Sequence, residues 1–323
     1  MDCANGVGST VMEEMIGLAG FSERLQITMI NFDKSPAKLN DECGAEHVQK
    51  AQTFPTGWSK EAFGGKKCIS FDGDADRQIY FYGDHEGKFF LIDGDKQFAL
   101  IMMYIKGLLA KLNLEDKLSH ILVQTAYCNS RVTDFLNKNN IKNQLVKTGV
   151  KYAHPVVKLY DIGANNEPNG HGTVAYNVER LNEVLEGNNS LEAQKLRNIL
   201  ELSNVVVGDS IANLLIIEAI LYDLDLSVEQ FASIYKENPS KLSKCQVKDR
   251  GIFKTNEDET RLLQPQELQD HIDAAVASVT EGKAFVRASG TEDVVRIYAE
   301  AKTVAEMDSL EEQIMNKIKS TYV

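Results

Sequence analysis

The sequence has no paired cysteines of the kind that cross-link secreted domains or bind zinc. Its five cysteines are an odd, scattered set without a C-x-x-C pair: Cys3, Cys43, Cys68, Cys128 and Cys245. Such a set is typical of free thiols in a reducing compartment. We therefore expect no disulfide framework and predict a cytoplasmic protein.

Long apolar runs and an excess of basic residues are also missing. The apolar run at residues 214–217 is interrupted by Glu218 before it could cross a bilayer. The formal charge is −12, whereas nucleic-acid binding needs a basic stripe that displaces counterions. We expect neither a membrane nor nucleic acid as a partner, and an anionic ligand would need a local basic pocket or a metal. Nothing in the sequence indicates an oligomeric state.

The chain of 323 residues is longer than one hydrophobic core usually organises. Strand and helix patterns alternate, starting with a strand on which Leu25, Ile27 and Met29 share a face. A predicted hairpin over residues 78–92 closes this part, and the alternation then restarts. We predict an α/β protein with two consecutive α/β domains and a smaller α+β C-terminal domain, at residues 1–91, 92–240 and 241–323.

Three aspartates stand at alternate positions directly after an apolar run. Asp72, Asp74 and Asp76 follow residues 68–71, which we predict to be a buried strand. Carboxylates this close repel one another unless a cation lies between them, and their oxygens suit a hard cation such as Mg²⁺. The pattern predicts a divalent-metal site.

Other interpretations of the aspartate motif differ in how well they fit. A calcium EF-hand loop needs glycine at its sixth position and glutamate at its twelfth, and this sequence has Arg77 and Gly83 there. A phosphatase with Asp72 as its nucleophile remains open. A solvated acidic turn remains open as well.

A second candidate site lies between two predicted C-terminal strands. The arginine of Arg287-Ala288-Ser289-Gly290-Thr291 offers a fork of donors that matches phosphate oxygens, and the glycine lets backbone N–H groups approach closely. Arg296 lies on the opposite strand face from Val295 and Ile297, where it could join the same pocket. The alternative is a polar hairpin with two surface arginines.

A glycine-punctuated loop forms a third candidate. Glu167, Pro168, Asn169 and His171 lie within residues 167–172, and a carboxylate beside an amide suits recognition of adjacent sugar hydroxyls. The alternative is a simple turn in which His171 only fixes the loop. A weaker signal is Lys151, which follows a predicted strand and could reach a phosphate or hydroxyl.

Together and in this order, these stretches resemble the α-D-phosphohexomutase superfamily, most closely its phosphoacetylglucosamine mutase branch. The resemblance covers almost the whole chain. It rests on six stretches, residues 2–6, 71–77, 91–96, 148–151, 167–172 and 287–296.

The resemblance implies a role for each stretch. Three residues would hold Mg²⁺, namely Asp72, Asp74 and Asp76, and three would recognise the sugar, namely Glu167, Pro168 and Asn169. The substrate's non-reacting phosphate would bind Arg287, Ala288, Ser289, Gly290, Thr291 and Arg296. Further candidates are Arg77, Lys151 and His171. The implied reaction interconverts N-acetylglucosamine 6-phosphate and 1-phosphate through a bisphosphate.

Three departures from the family pattern bear on activity. Pro168 and Ala288 stand where the family commonly has a small residue and a proline, respectively. Family members also carry a phosphorylated serine in a Thr-Ala-Ser-His-Asn type loop of a preceding domain, and this sequence contains no such loop. We therefore expect no catalytic nucleophile within these residues. The alternative function is a catalytically incompetent protein that binds sugar phosphate and magnesium.

Overall fold

The computed structural model describes residues 1–323 as a mixture of helices and small sheets, which confirms the predicted fold class. The α-helices are α1 Gly8–Ile16, α2 Phe21–Arg24, α3 Ala45–Ala51, α4 Lys60–Phe63, α5 Gly94–Lys111, α6 Ser130–Lys138, α7 Val150–Val157, α8 Val178–Val184, α9 Leu191–Leu202, α10 Ser210–Asp223, α11 Val228–Ala232, α12 Gln266–Ala277 and α13 Val304–Tyr322. Short 3₁₀ helices occur at Pro36–Lys38 and Arg250–Ile252. No helix is both long and apolar enough to cross a membrane.

Twelve strands form four sheets. The strands are β1 Cys68–Phe71, β2 Gln78–Gly83, β3 Phe89–Ile92, β4 His120–Thr125, β5 Asn143–Val146, β6 Ile162–Asn166, β7 Gly172–Tyr176, β8 Ser240–Gln246, β9 Lys254–Thr255, β10 Leu262–Gln264, β11 Lys283–Ala288 and β12 Val294–Glu300. The strand orders are β1-β2-β3, β5-β4-β6-β7, β10-β9 and β11-β12-β8. The hairpin predicted over residues 78–92 is confirmed, since β2 pairs with β3 in antiparallel register.

The strand predicted around Leu25, Ile27 and Met29 is wrong. This segment is extended but forms no ladder, and the nearest pairing is an isolated bridge between Asp2 and Ile30. The side chains do alternate between apolar and polar. A strand also needs a neighbouring strand along its length, however, and alternation does not indicate whether one is available.

The chain forms two compact units. The first comprises Met1–Leu122, Asn139–Lys142 and Val157–Tyr235, and the second comprises Val123–Lys138, Asn143–Val156 and Lys236–Val323. The three domain boundaries given above stay a prediction.

Each unit has its own apolar packing. In the first, Ala45 and Val48 of α3 pack on Ile79 and Phe81 of β2, which fixes the hairpin that carries the aspartates. In the second, alternate residues of β12 point into a core that α12 and α13 cover; its members include Val295, Ile297, Leu268, Leu310, Ile314 and Ile318. The spacing of the α13 residues is that of one helical face. The first core supports the β1–β2 hairpin, and the second core supports the β11–β12 hairpin.

Candidate functional site

The three aspartates lie in the connection of a β-hairpin. β1 pairs with β2 up to Phe71 opposite Gln78, so residues 72–77 form the turn. One ligand atom from each carboxylate lies within 4.8 Å of the others. Ala75 has a φ of 58°, a left-handed conformation that turns the chain sharply. The predicted convergence of these three side chains is therefore present.

Asp72 organises the turn. It is only 3% exposed, and its Oδ1 accepts hydrogen bonds from the backbone N–H groups of Asp76 and Arg77, both at 3.1 Å. Burial raises the pKa of the Asp72 carboxyl, and the neighbouring Asp76 charge adds to this effect. A cation placed between the two carboxylates would reverse that penalty.

The segment at the start of the chain supports the same turn. The backbone N–H of Val7 donates to the carbonyl of Gly73 over 2.9 Å. A Cβ added at Gly6 would lie 2.2 Å from that carbonyl oxygen, a distance that only glycine permits. Residues 2–6, which the resemblance included without assigning a role, thus buttress the aspartate turn.

Arg77 partly neutralises the aspartates. Its Nε donates to Oδ2 of Asp72 over 2.7 Å and lies 3.4 Å from Oδ1 of Asp76. That Asp76 oxygen is buried and accepts no hydrogen bond. Arg77 therefore contacts two of the three carboxylates, a relationship that no spacing pattern in the sequence indicates.

The residues present fit a divalent cation. A buried carboxylate oxygen without a hydrogen-bond donor is a costly arrangement unless a cation is its partner. Oxygen ligands of Mg²⁺ lie about 2.1 Å from the ion, hence about 3 to 4 Å from one another. The spacing of at most 4.8 Å between the three carboxylates is close to that range.

The glycine-punctuated loop joins β6 to β7 and is held by its own polar groups. The Asn169 amide donates from Nδ2 to Oε2 of Glu167 over 3.0 Å, and its Oδ1 accepts the backbone N–H of His171 at 3.0 Å. The carbonyl of Pro168 accepts the N–H of Gly94 at the start of α5. Glu167 and Asn169 are therefore fixed side by side.

This loop meets the aspartate turn within the first unit. Arg77 and His171 form an isolated antiparallel bridge, and the N–H of Gln78 donates to the carbonyl of Gly170. Nε2 of His171 lies 3.7 Å from Oδ2 of Asp76. Two of the predicted stretches thus form one continuous polar surface.

The third stretch lies in the second unit, at the β11–β12 hairpin. Arg287 stands directly opposite Arg296 in the strand register. Ser289 is buried and accepts the N–H of Thr291 at 3.4 Å, whereas Gly290 has open space around it. Ala288 points to the other face of β11, toward the core. The loop thus leaves its backbone accessible beside two arginines.

The two arginines are not fully satisfied by the protein. Nε of Arg287 donates to the Tyr127 hydroxyl over 2.7 Å, and its Nη1 lies 3.5 Å from Oε1 of Glu259. Nε of Arg296 is buried and has no acceptor. Lys244 lies opposite Arg296 on the neighbouring strand, so three basic residues form a row across β11, β12 and β8. Such a row is unfavourable unless an anion balances it.

Lys151 packs beside an aromatic ring of its own helix. Its ammonium lies 5.1 Å from the centre of the Tyr152 ring, and Lys147 lies 5.5 Å from the same ring. The nearby N–H of Thr148 donates to Oε2 of Glu259 over 3.0 Å.

Sequence reasoning did not single out three neighbours of the arginines. Lys244 was detectable, because alternation about the buried Cys245 places it on the outer strand face. Tyr127 lies two positions after the end of β4, which is a weak signal. Glu259 lies in a loop without any pattern that marks it.

Comparisons with known proteins agree with this arrangement. Residues 1–79 match the family described as Phosphoacetylglucosamine mutase AMG1, domain II, and residues 93–226 match its domain III. Residues 242–317 match the Phosphoglucomutase/phosphomannomutase C-terminal domain. The three matches follow one another along the chain without overlap.

Full-length relatives share substantial identity. Phosphoacetylglucosamine mutase of Homo sapiens is 40% identical over 321 residues, which is 97% of this chain and 58% of the human protein. That of Saccharomyces cerevisiae is 38% identical over 99% of this chain and 59% of the yeast protein. The chain thus spans somewhat under two thirds of the length of these relatives.

Solved structures share the fold. The Aspergillus fumigatus N-acetylphosphoglucosamine mutase, solved with GlcNAc-6P and magnesium, has a TM-score of 0.91 and 35% identity, over 98% of this chain and 64% of that one. An N-acetylglucosamine-phosphate mutase in its substrate complex, described as a member of the alpha-D-phosphohexomutase superfamily, has a TM-score of 0.92 and 37% identity, over 98% of this chain and 60% of that one. The chain belongs to the phosphoacetylglucosamine mutase family of the α-D-phosphohexomutase superfamily.

Proposed function

We propose that this chain carries the metal, sugar and phosphate sites of a phosphoacetylglucosamine mutase, which interconverts N-acetylglucosamine 6-phosphate and 1-phosphate in the biosynthesis of UDP-N-acetylglucosamine. The observation that carries the proposal is the convergence of Asp72, Asp74 and Asp76, with one buried carboxylate oxygen that accepts no hydrogen bond. Relatives of the same family have been solved with GlcNAc-6P and magnesium.

In the proposed reaction a phosphoryl group passes from a phosphoserine to the free hydroxyl of the sugar phosphate. The resulting bisphosphate reorients, and its other phosphoryl group returns to the serine, which restores the phosphoenzyme. Magnesium held by Asp72, Asp74 and Asp76 would neutralise charge on the transferred group.

The chain's own residues bind and orient the substrate in this proposal. Glu167 and Asn169, which are locked to each other, accept and donate hydrogen bonds to neighbouring sugar hydroxyls. Arg287 and Arg296 bind the phosphate that does not react, because their guanidinium donors match its oxygens. Ser289, Gly290 and Thr291 add hydroxyl and backbone donors.

For residues 1–323 taken alone we propose binding without turnover, because they contain no Thr-Ala-Ser-His-Asn type loop. The same observation supports the second candidate function, a protein that binds sugar phosphate and magnesium but transfers nothing. We propose three structural domains, with boundaries at residues 91 and 240, and a cytoplasmic location.

Titration of the chain with N-acetylglucosamine 6-phosphate in the presence of magnesium tests the proposal. We expect one binding site, and replacement of Arg287 or Arg296 by alanine should weaken binding by about 1.5–3 kcal/mol, the range of a charge-assisted hydrogen bond. Unchanged affinity in both variants would contradict the phosphate site. Rapid conversion to the 1-phosphate by this polypeptide would contradict binding without turnover.

A further inference from the structure

Glu259 is a buried acid in an unusual backbone conformation. It is 4% exposed and has a φ of 61°, in the left-handed region that glycine and asparagine adopt at lower cost. A non-glycine residue held there costs about 1 kcal/mol or more and persists only where its surroundings fix it. The contacts of the Glu259 side chain should therefore show what holds the residue in this conformation.

The two oxygens of this carboxylate serve two different segments of the second unit. Oε2 accepts the backbone N–H of Thr148 at 3.0 Å, and Oε1 lies 3.5 Å from Nη1 of Arg287. The Thr148 bond anchors the acid on one side. Glu259 thereby links the start of residues 148–151 to the arginine of the β11–β12 hairpin.

Arg287 is held from its other side by Tyr127. Its Nε donates to the tyrosine hydroxyl over 2.7 Å, and the guanidinium carbon lies 5.3 Å from the centre of the ring. Nε and Nη1 thus each face a protein partner, while Nη2 has no hydrogen bond or ion pair. Nε and Nη1 lie on different edges of the planar guanidinium, so the group is held from two directions and Nη2 is left to donate to a ligand.

The distance between Glu259 and Arg287 is short enough for charge balance but too long for a strong hydrogen bond. A charge-assisted N–H···O bond is about 2.7–2.9 Å long, and the 3.5 Å between Arg287 and Glu259 is longer. The acid therefore balances the charge of a largely buried arginine without closing a tight hydrogen bond that a phosphate would have to break.

We propose that Glu259 is a positioning residue that, together with Tyr127, fixes the guanidinium of Arg287 so that its Nη2 group meets the substrate's phosphate. The proposal rests on the proposed function, since it takes Arg287 as a phosphate ligand. It adds a residue that touches no substrate but sets how the arginine binds it. The same carboxylate keeps residues 148–151 in a fixed relation to that arginine.

A double-mutant cycle on the 323-residue chain tests the proposal. Binding of N-acetylglucosamine 6-phosphate is followed by phosphorus NMR, which reaches weak affinities. Glu259→Gln retains the size of the side chain but removes its charge, so we expect binding to weaken on the order of tenfold, or about 1.4 kcal/mol. In an Arg287→Ala background the same change should cost less than about twofold, whereas in an Arg296→Ala background the full loss should remain.

The matched control is Glu257→Gln, which removes an exposed carboxylate from the same loop and should leave affinity unchanged. Equal ligand affinities of Glu259→Gln and Glu257→Gln would overturn the positioning role. A tenfold loss of affinity from Glu259→Gln that persists in the Arg287→Ala background would overturn it as well. If Arg287→Ala itself had no effect, the proposed phosphate site would fail instead.

Tyr127→Phe gives a second route should Glu259→Gln not fold. This variant removes only the hydroxyl that accepts from Arg287. We expect a loss of about threefold that also disappears when Arg287 is alanine. A loss independent of Arg287, or no loss, would count against the shared positioning role.

Discussion

Nε of Arg77 donates a hydrogen bond of 2.7 Å to Oδ2 of Asp72, so an arginine contacts the most buried of the three clustered carboxylates. The same nitrogen lies 3.4 Å from Asp76. A positive charge thus already stands beside two of the residues proposed to hold magnesium, and the stability of the turn should depend on both cations.

Replacement of Arg77 by alanine should lower the free energy of unfolding by about 2 kcal/mol in the absence of magnesium. Asp72 is buried while Arg77 is partly exposed, so the loss should fall between the values for surface and buried ion pairs. Saturating magnesium should restore more stability to this variant than to the unchanged protein. Urea unfolding with and without magnesium measures both quantities.

Arg180→Ala is the control, since it breaks an exposed pair with Glu183. It should cost less than about 1 kcal/mol and show no added magnesium response. An Arg77 variant with the same magnesium response as the unchanged protein would contradict the shared role of the two cations.

Gly170→Ala should destabilise the protein by more than about 3 kcal/mol, because the added Cβ would lie 2.0 Å from the carbonyl oxygen of Gln78. Gly187→Ala is a matched control, with a φ of 69° against 91° and open space around it. It should cost only about 1 kcal/mol of left-handed strain. Denaturant titration of both variants isolates the clash, and equal losses would refute the close contact of the two loops.

Lys244→Gln should have opposite effects on stability and on ligand binding. Removing one charge from the row with Arg296 and Arg287 should raise the free energy of unfolding by about 0.5 kcal/mol without ligand. The rise in thermal midpoint caused by inorganic phosphate should shrink. Lys248→Gln, an exposed lysine beyond the end of β8, should change neither quantity. A phosphate response that survives Lys244→Gln intact would exclude this lysine from the anion site.

The stability of the protein should fall as the pH rises from about 9 to 12. Burial raises the pKa of the Cys3 and Cys43 thiols to about 12. Below about pH 7.5 both thiols stay almost entirely protonated in the folded and the unfolded chain, so their contribution is fully present. Above pH 9 the unfolded chain loses these protons first, which favours unfolding by up to about 1.4 kcal/mol per pH unit for each thiol.

The free energy of unfolding, measured against pH, should therefore decline above about pH 9. This decline should be smaller when Cys3 and Cys43 are both replaced by alanine. All five cysteines are buried, so a thiol reagent should label none rapidly in the folded protein and all five in denaturant. Rapid labelling of native Cys3 at pH 8 would refute its burial.

Local patterns predicted much of this structure. The hairpin over residues 78–92 and the convergence of the three aspartates both follow from short-range alternation and from charge. The segment around Leu25 shows the limit, because its alternation is genuine while its pairing amounts to one bridge, between Ile30 and Asp2, and a few backbone hydrogen bonds to residues 1–3. Whether an extended segment becomes a strand depends on a neighbour that is distant in sequence.

The same limit applies to the candidate site. Arg287 and Arg296 were predictable from strand alternation, whereas Glu259 contacts Arg287 from 28 positions away in a loop. Arg77 was visible in the motif, but its hydrogen bond to Asp72 depends on the turn at Ala75. Residues that position others leave no periodic signal, since their spacing is set by tertiary packing.

We propose that Asp72, Asp74 and Asp76 bind one divalent cation, and calorimetric titration of magnesium tests this claim most directly. We expect one ion per chain in the unchanged protein, binding weakened on the order of tenfold or more in Asp76→Asn, and no change in the exposed control Asp41→Asn. Equal magnesium binding by all three proteins would contradict the claim.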